Sequence, residues 1–160
     1  MLIIVEGPDG SGKTTLCDSL KNAGYTVFRR IKSDKNFTYT EFKELQRSRK
    51  LYLLDRAILT PWAYRLLDGK RLNSDDFSFI EAIALLRDSP VIYCNTDKSY
   101  EYSMRRGEDN ITSEIAAKEL RQIYEYIVKT LLLYNVTTVF KYDFEKQSVE
   151  DVINFIKEVQ

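Results

Sequence analysis

Histidine is absent from this 160-residue chain. That excludes every mechanism that needs an imidazole base or an imidazole metal ligand. Net charge is absent too, since 24 Lys and Arg balance 24 Asp and Glu. A domain that grips a nucleic-acid backbone normally carries surplus positive charge, so no nucleic acid is expected as an obligatory partner. A small phosphorylated ligand needs only a few local cations and stays open. Cysteine is scarce. Cys17 and Cys94 lie far apart without metal-type spacing, and read as buried free thiols in a reducing compartment. No apolar run approaches a membrane span. The opening Met1-Leu2-Ile3-Ile4-Val5 lacks a basic leader. The expected location is the cytoplasm, with no membrane partner. No repeat, low-complexity tract or linker interrupts the chain, so one domain over 1–160 is the simplest account.

What is present is an alternation of strand and helix signals. Leu2–Glu6 is a short apolar run closed by Gly7 and reads as a buried strand. A helix over Gly12–Ala23 follows, with Leu16 and Leu20 on one face and Gly24 as its stop. Tyr25–Arg29 is a second strand. Thr38 and Glu41 have capping-box spacing before a short helix carrying Phe42 and Leu45. Leu51–Leu54 is a third strand. Thr60 as N-cap and Pro61 at the first helical position predict a helix to about Asp68, stopped by Gly69. Ser74 opens another helix, which runs to Asp88. Val91–Asn95 is a fourth strand, Asp97–Arg106 a helix, and Thr112 caps a long helix to about Leu133. Val136–Tyr142 is a fifth strand, and Ser148 caps the last helix, with Val152, Ile153, Ile156 and Val159 facing inward. The pattern predicts an α/β fold of three layers: a five-stranded parallel sheet with helices on both faces.

Positions 7 to 14, Gly-Pro-Asp-Gly-Ser-Gly-Lys-Thr, fit G-x-x-x-x-G-K-[ST] between the first strand and the first helix. This is the context a phosphate-binding P-loop requires. Its glycines, Gly7, Gly10 and Gly12, let the loop curl so that backbone N–H groups, including that of Ser11, face phosphate oxygens. The helix N-terminus adds its dipole. Lys13 is expected on the β- and γ-phosphates, Thr14 on Mg²⁺, and Thr15 on the loop or the α-phosphate. Open α/β sheets bind ligands beyond the carboxyl ends of their strands. There Asp55 follows an apolar run, as does an acid that holds Mg²⁺ through water. Arg56 beside it offers a bidentate phosphate fork.

With those residues in place the chain resembles the thymidylate kinases. Val5 to Thr15 resembles their E-G-x-D-G-x-G-K-T-T loop. Asp55-Arg56 with Thr60 and Ala63-Tyr64 resembles their D-R-x-x-x-S-x-x-A-Y block, and Arg105-Arg106-Gly107-Glu108-Asp109 their arginine-bearing lid. The resemblance implies the P-loop NTPase fold, and an ATP-dependent transfer of phosphate to a deoxynucleoside monophosphate, dTMP or a related, modified pyrimidine. It implies Asp9 near the acceptor sugar and the metal, Arg29 and Arg56 on the acceptor, Thr60 in the acceptor site, and Tyr64 under the sugar. Arg105 and Arg106 would close over the transferring group. Gly10 stands where some members carry an extra arginine, which leaves that duty to the lid, about 104–112. A homodimer is implied as well.

The chain also departs from the family. Between the second and third strands the R-E-P-G segment and two base-reading helices are replaced by a short stretch, about 31–50, and Pro61 stands where a polar base reader is common. Phe37, Tyr39 and Phe42 are candidates for stacking on the base. Two other readings follow from the residues. A kinase of a deoxynucleoside or of a DNA 5′-hydroxyl would need a general base, for which Glu6 is the candidate. The other is a nucleotide-binding switch with little turnover; a G-protein would show an N-K-x-D motif, and Asn95-Thr96-Asp97-Lys98 has those residue types in another order.

Overall fold

In the computed structural model, residues 1–29, 39–69, 79–106 and 113–160 are described. Five parallel strands form one sheet in the order β2-β3-β1-β4-β5. They are β1 (Leu2–Glu6), β2 (Thr26–Arg29), β3 (Tyr52–Asp55), β4 (Val91–Cys94) and β5 (Val139–Tyr142). The helices are α1 (Lys13–Asn22), α2 (Tyr39–Arg47), α3 (Leu59–Leu67), α4 (Phe79–Arg87), α5 (Ser99–Arg106), α6 (Glu114–Leu133) and α7 (Val149–Val159). The predicted α/β architecture, with helices on both faces, is therefore the observed one.

Side-chain alternation along the strands sorts the core into two layers. Leu2, Ile4, Leu54, Val91 and Tyr93 face a cluster with Phe42 of α2, Trp62 of α3, Leu85 of α4, and Leu120 and Tyr124 of α6. Ile3, Val5, Leu53, Ile92 and Cys94 face Leu16 and Leu20 of α1 and Val152 and Ile156 of α7. Central strands buried on both faces explain why β1 reads as a continuous apolar run rather than an alternating one.

Several element ends differ from expectation, each for a local reason. Thr60 does not cap α3; that helix begins at Leu59 with Ile58 in the cap position, and no side chain of its own first turn caps it. Ser113, not Thr112, caps α6, its hydroxyl accepting from the Ala116 N–H at 3.1 Å. β5 starts three residues later than Val136. Asn135, at φ 48°, ends α6 in the left-handed region, the Val136 N–H closes back on the Leu131 carbonyl at 2.9 Å, and Thr137 donates to the Ser89 carbonyl at 2.8 Å. Those residues complete the helix stop before the strand begins. Ser148 caps α7 in a full capping box with Asp151, as expected. The expected helix starts at Thr38 and Ser74 lie outside the described residues.

Candidate active site

The carboxyl ends of β1, β3 and β4 converge on the loop between β1 and α1. No side chain caps α1, and its first turn holds no acidic residue, so its positive end is left to whatever the loop encloses. Lys13 is buried in that loop. Its ammonium donates to the Gly7 and Pro8 carbonyls, both at 2.6 Å, and to the Ser11 hydroxyl at 3.3 Å. Burial first, then the charge of Arg56, pulls its pKa down to about 8, against the smaller opposing pull of Asp9. Ser11 is buried, whereas Thr14 and Thr15 are exposed at the start of α1. Gly10 has φ 76°, and a Cβ there would lie 2.0 Å from the Ser99 carbonyl oxygen. The start of α5 thus sits against the loop, and no side chain, an arginine included, fits at position 10.

Asp9 is the centre of a second cluster. Its Oδ1 accepts from Arg56 Nη2 at 2.5 Å, and its Oδ2 accepts from the Tyr64 hydroxyl. Burial alone would raise the Asp9 pKa, but the Arg56 charge and the Tyr64 hydrogen bond outweigh it and hold the carboxyl below its usual range. Burial likewise works against the charge of Arg56, and the Asp9 carboxylate more than offsets it. Arg56 has φ 67°, an uncommon conformation for a non-glycine residue, held where its N–H donates to the Val5 carbonyl at 3.0 Å. That turn aims the guanidinium back across the P-loop.

Asp55 stands beside Val5 and Arg29 in the sheet register. Its Oδ2 accepts from Arg29 Nε at 2.9 Å. Its Oδ1 is buried and has no hydrogen-bond partner among the described residues. A buried, unpartnered carboxylate oxygen next to a phosphate loop suits the water shell of a hard cation, with Thr14 as the hydroxyl ligand. The residues present therefore fit Mg²⁺ bound with a nucleotide.

Glu6 is fully buried and used up. Oε1 accepts from the Ala57 and Leu59 N–H groups at 2.7 and 3.0 Å, and Oε2 from the Thr60 hydroxyl at 2.6 Å. Tyr124 donates to Thr60 at 2.8 Å. The carboxylate from β1 thus caps α3 in trans, and Thr60 is a link in that chain rather than an N-cap. Arg105 is 73% exposed, 3.9 Å from Glu101 and 6.0 Å from the Tyr102 ring. The Arg106 side chain and residues 107–112 lie outside the described residues.

Three features near the site carried no sequence signal. Glu145 accepts from Thr96 at 2.7 Å and Tyr102 at 3.0 Å, tying the turn after β5 to α5. Tyr124 reaches Thr60 from α6. Phe144 packs against Tyr102, with ring centroids 5.4 Å apart. All three are long-range pairings, which no local spacing encodes.

No family model matches the chain, and no curated protein matches its sequence. Solved structures do match its fold. The YorR protein of Bacillus subtilis, solved with phosphorylated GDP, superposes with a TM-score of 0.71 at 18% identity, over 98% of this chain and 96% of that one. Deoxyadenosine kinase from M. mycoides, solved with the product dCMP and a flexible dCDP, gives 0.66 at 18% identity over the full length of both chains. Thymidylate kinase from Candida albicans gives 0.60 at 16% identity, over 99% of this chain and 89% of that one. At these identities the likeness is one of fold: the chain has the α/β fold of P-loop nucleoside and nucleotide kinases. No helix among the described residues is long and apolar enough to cross a membrane.

Proposed function

We propose that this chain is a phosphotransferase that moves the terminal phosphate of ATP onto a deoxynucleoside monophosphate, dTMP or a related pyrimidine, giving the diphosphate. The observation that carries the reading is the Asp9–Arg56–Tyr64 cluster facing the Lys13 loop. It would offer a guanidinium and hydrogen-bonding groups to a second phosphorylated group beside the first. Arg56 would turn part of its fork to the acceptor phosphate, while Asp9 and Tyr64 would meet the sugar. Lys13 would leave its loop carbonyls for the donor phosphates. Thr14 and Asp55 would hold Mg²⁺, which would supply charge neutralisation at the transferring phosphate. Such catalysis is positioning and electrostatics and needs no histidine. The lid at about 104–112, with Arg105 and Arg106, would exclude water.

The likeness to deoxyadenosine kinase favours a second reading, with a nucleoside as acceptor. A hydroxyl acceptor gains from a general base. Glu6 is committed to three donors, and Asp9 is held below the usual carboxylate range, which makes it a weak base. Both facts favour the monophosphate. The test is ADP release with Mg-ATP against a panel of deoxynucleoside monophosphates, deoxynucleosides and DNA 5′-ends, with Lys13→Ala as the blank. Turnover on a monophosphate is expected. Turnover on nucleosides alone would replace the leading reading with the second. Tight ATP binding without any turnover would point to a switch.

A further inference from the structure

A cavity of about 210 Å³ opens beside the P-loop, between the start of α1 and the turn after β5. Its walls include Gly12, Thr15, Ser19, Tyr102, Phe144 and Val149. It begins where a triphosphate threaded through the loop would leave it, at Thr15. It is below the roughly 300–1,000 Å³ of drug-sized pockets, and so suits one ring system rather than a whole nucleotide. A larger cleft of about 420 Å³, under α6, touches no residue of the loop. The smaller cavity is continuous with the phosphate site.

Its walls have aromatic faces and almost nothing that reads a base edge. The Phe144 ring lies against Gly12 so closely that a Cβ there would come within 2.6 Å of it. Tyr102 packs on Phe144, and its hydroxyl is donated to Glu145. Most backbone N–H groups of the turn are spent as well. Asp143 donates to Gln147 Oε1 at 2.8 Å, and Glu145 to Asp143 Oδ1 at 3.1 Å. Lys146 and Gln147 donate to the Asp143 carbonyl at 2.9 and 2.8 Å, and Ser148 to Asp151 Oδ2 at 2.8 Å. Thr15, Ser19 and Tyr142 keep hydroxyls, but a hydroxyl donates or accepts by rotating and does not separate an amino edge from a keto edge.

We infer that the donor base is held here by stacking on Phe144 and is not read by hydrogen bonds, so the donor class is nucleoside triphosphates with little regard to the base. This rests on the phosphotransferase reading above. A site that hydrogen-bonds its ligand rejects an analogue lacking the matching group by about 10⁴–10⁵, whereas packing alone discriminates far less. Stacking is sequence-tolerant and worth about 1–3 kcal/mol per base by alanine substitution.

Calorimetric titration of the whole chain with Mg-ATP, Mg-GTP, Mg-CTP, Mg-UTP and the baseless ribose 5-triphosphate tests this. The four nucleotides should bind within about tenfold of one another, purines ahead, and all tighter than the baseless compound. Phe144→Ala should weaken the four together by about 5–150-fold and leave ribose 5-triphosphate unchanged, while Phe144→Tyr keeps nucleotide binding. If Phe144→Ala also loses the baseless compound, the Phe144→Tyr and wild-type titrations still decide. ATP binding more than about a hundredfold tighter than GTP would overturn the inference and leave the phosphotransferase reading standing. Equal binding of ATP and ribose 5-triphosphate would overturn it too. Failure of every triphosphate to bind would remove the donor site itself, and with it the proposed function.

Discussion

The proposed donor half and the proposed acceptor half of the site are made by different means. The donor half is local: Lys13, its carbonyl partners and the loop glycines fall within one strand-to-helix connection, and backbone groups make the contacts. The acceptor half is assembled across the fold. Tyr64 meets Asp9 from 55 positions away and Arg56 from 47, and the contacts are between side chains. A backbone cradle recognises phosphate wherever it occurs. A buried side-chain network recognises one partner and tolerates little change. The difference implies a permissive donor site facing a demanding acceptor site.

The sharpest break of this comparison comes from substitutions in each half. Lys13→Ala should lower kcat by roughly 10²–10³-fold, the usual cost of one lost donor to a developing charge, with any acceptor. Steady-state rates with saturating ATP check this; a change in acceptor KM alone would contradict it. Arg56→Ala should raise acceptor KM by about 10–150-fold, the worth of a charged hydrogen bond, while ATP affinity stays nearly constant. Equal loss on both sides would show that Arg56 belongs to the donor half or only to the fold.

Glu6 ties the halves together, and its removal should appear as lost stability. Glu6→Ala leaves the Ala57 and Leu59 N–H groups and the Thr60 hydroxyl without their acceptor. About 3 kcal/mol should be lost, or roughly 6–12 °C in Tm. A thermal melt within 2 °C of the parent, against that rough range, would mean that water replaces the carboxylate.

The smallest expected effect is one of protons. Folded Lys13 loses its proton near about 8, against 10.5 for an ordinary lysine. Between those values the unfolded chain binds more protons, so this group makes stability rise with pH across that window. A bound triphosphate supplies the anion that Lys13 lacks and raises its pKa again. Binding of ATP at pH about 8.5 should then take up between half a proton and one, measured by calorimetry in buffers of different ionisation enthalpy, and Lys13→Ala should abolish the uptake. Proton release on binding would contradict the assignment.

Legibility in the sequence follows the same divide. The strand–loop–helix around the P-loop motif, four of the strands and the Ser148 cap are written in short-range spacing, and the structure has them within a residue of where the spacing puts them, while β5 starts late. The Asp9–Arg56–Tyr64 meeting became legible only through a family resemblance, because it depends on the β1–β3 register and on the left-handed turn at Arg56. Thr60-Pro61 has the local form of a helix start, yet Glu6 claims the hydroxyl and caps the helix from another strand. Here a buried carboxylate in need of donors prevailed over a local preference. The Tyr102–Phe144 contact left no trace in spacing, since the two rings lie far apart in the chain.

The central claim is a phosphorylated acceptor facing the P-loop, and the length of a bridged ligand tests it most directly. Adenosine and thymidine joined by five phosphates span a donor triphosphate, the gap and an acceptor monophosphate; four phosphates span the same donor and a bare nucleoside. Linking turns the second binding event into an intramolecular one, so the matching length gains most. The account predicts that the pentaphosphate binds at least about tenfold tighter than the tetraphosphate, and that Arg56→Ala erases the difference. Tighter binding of the tetraphosphate would contradict it.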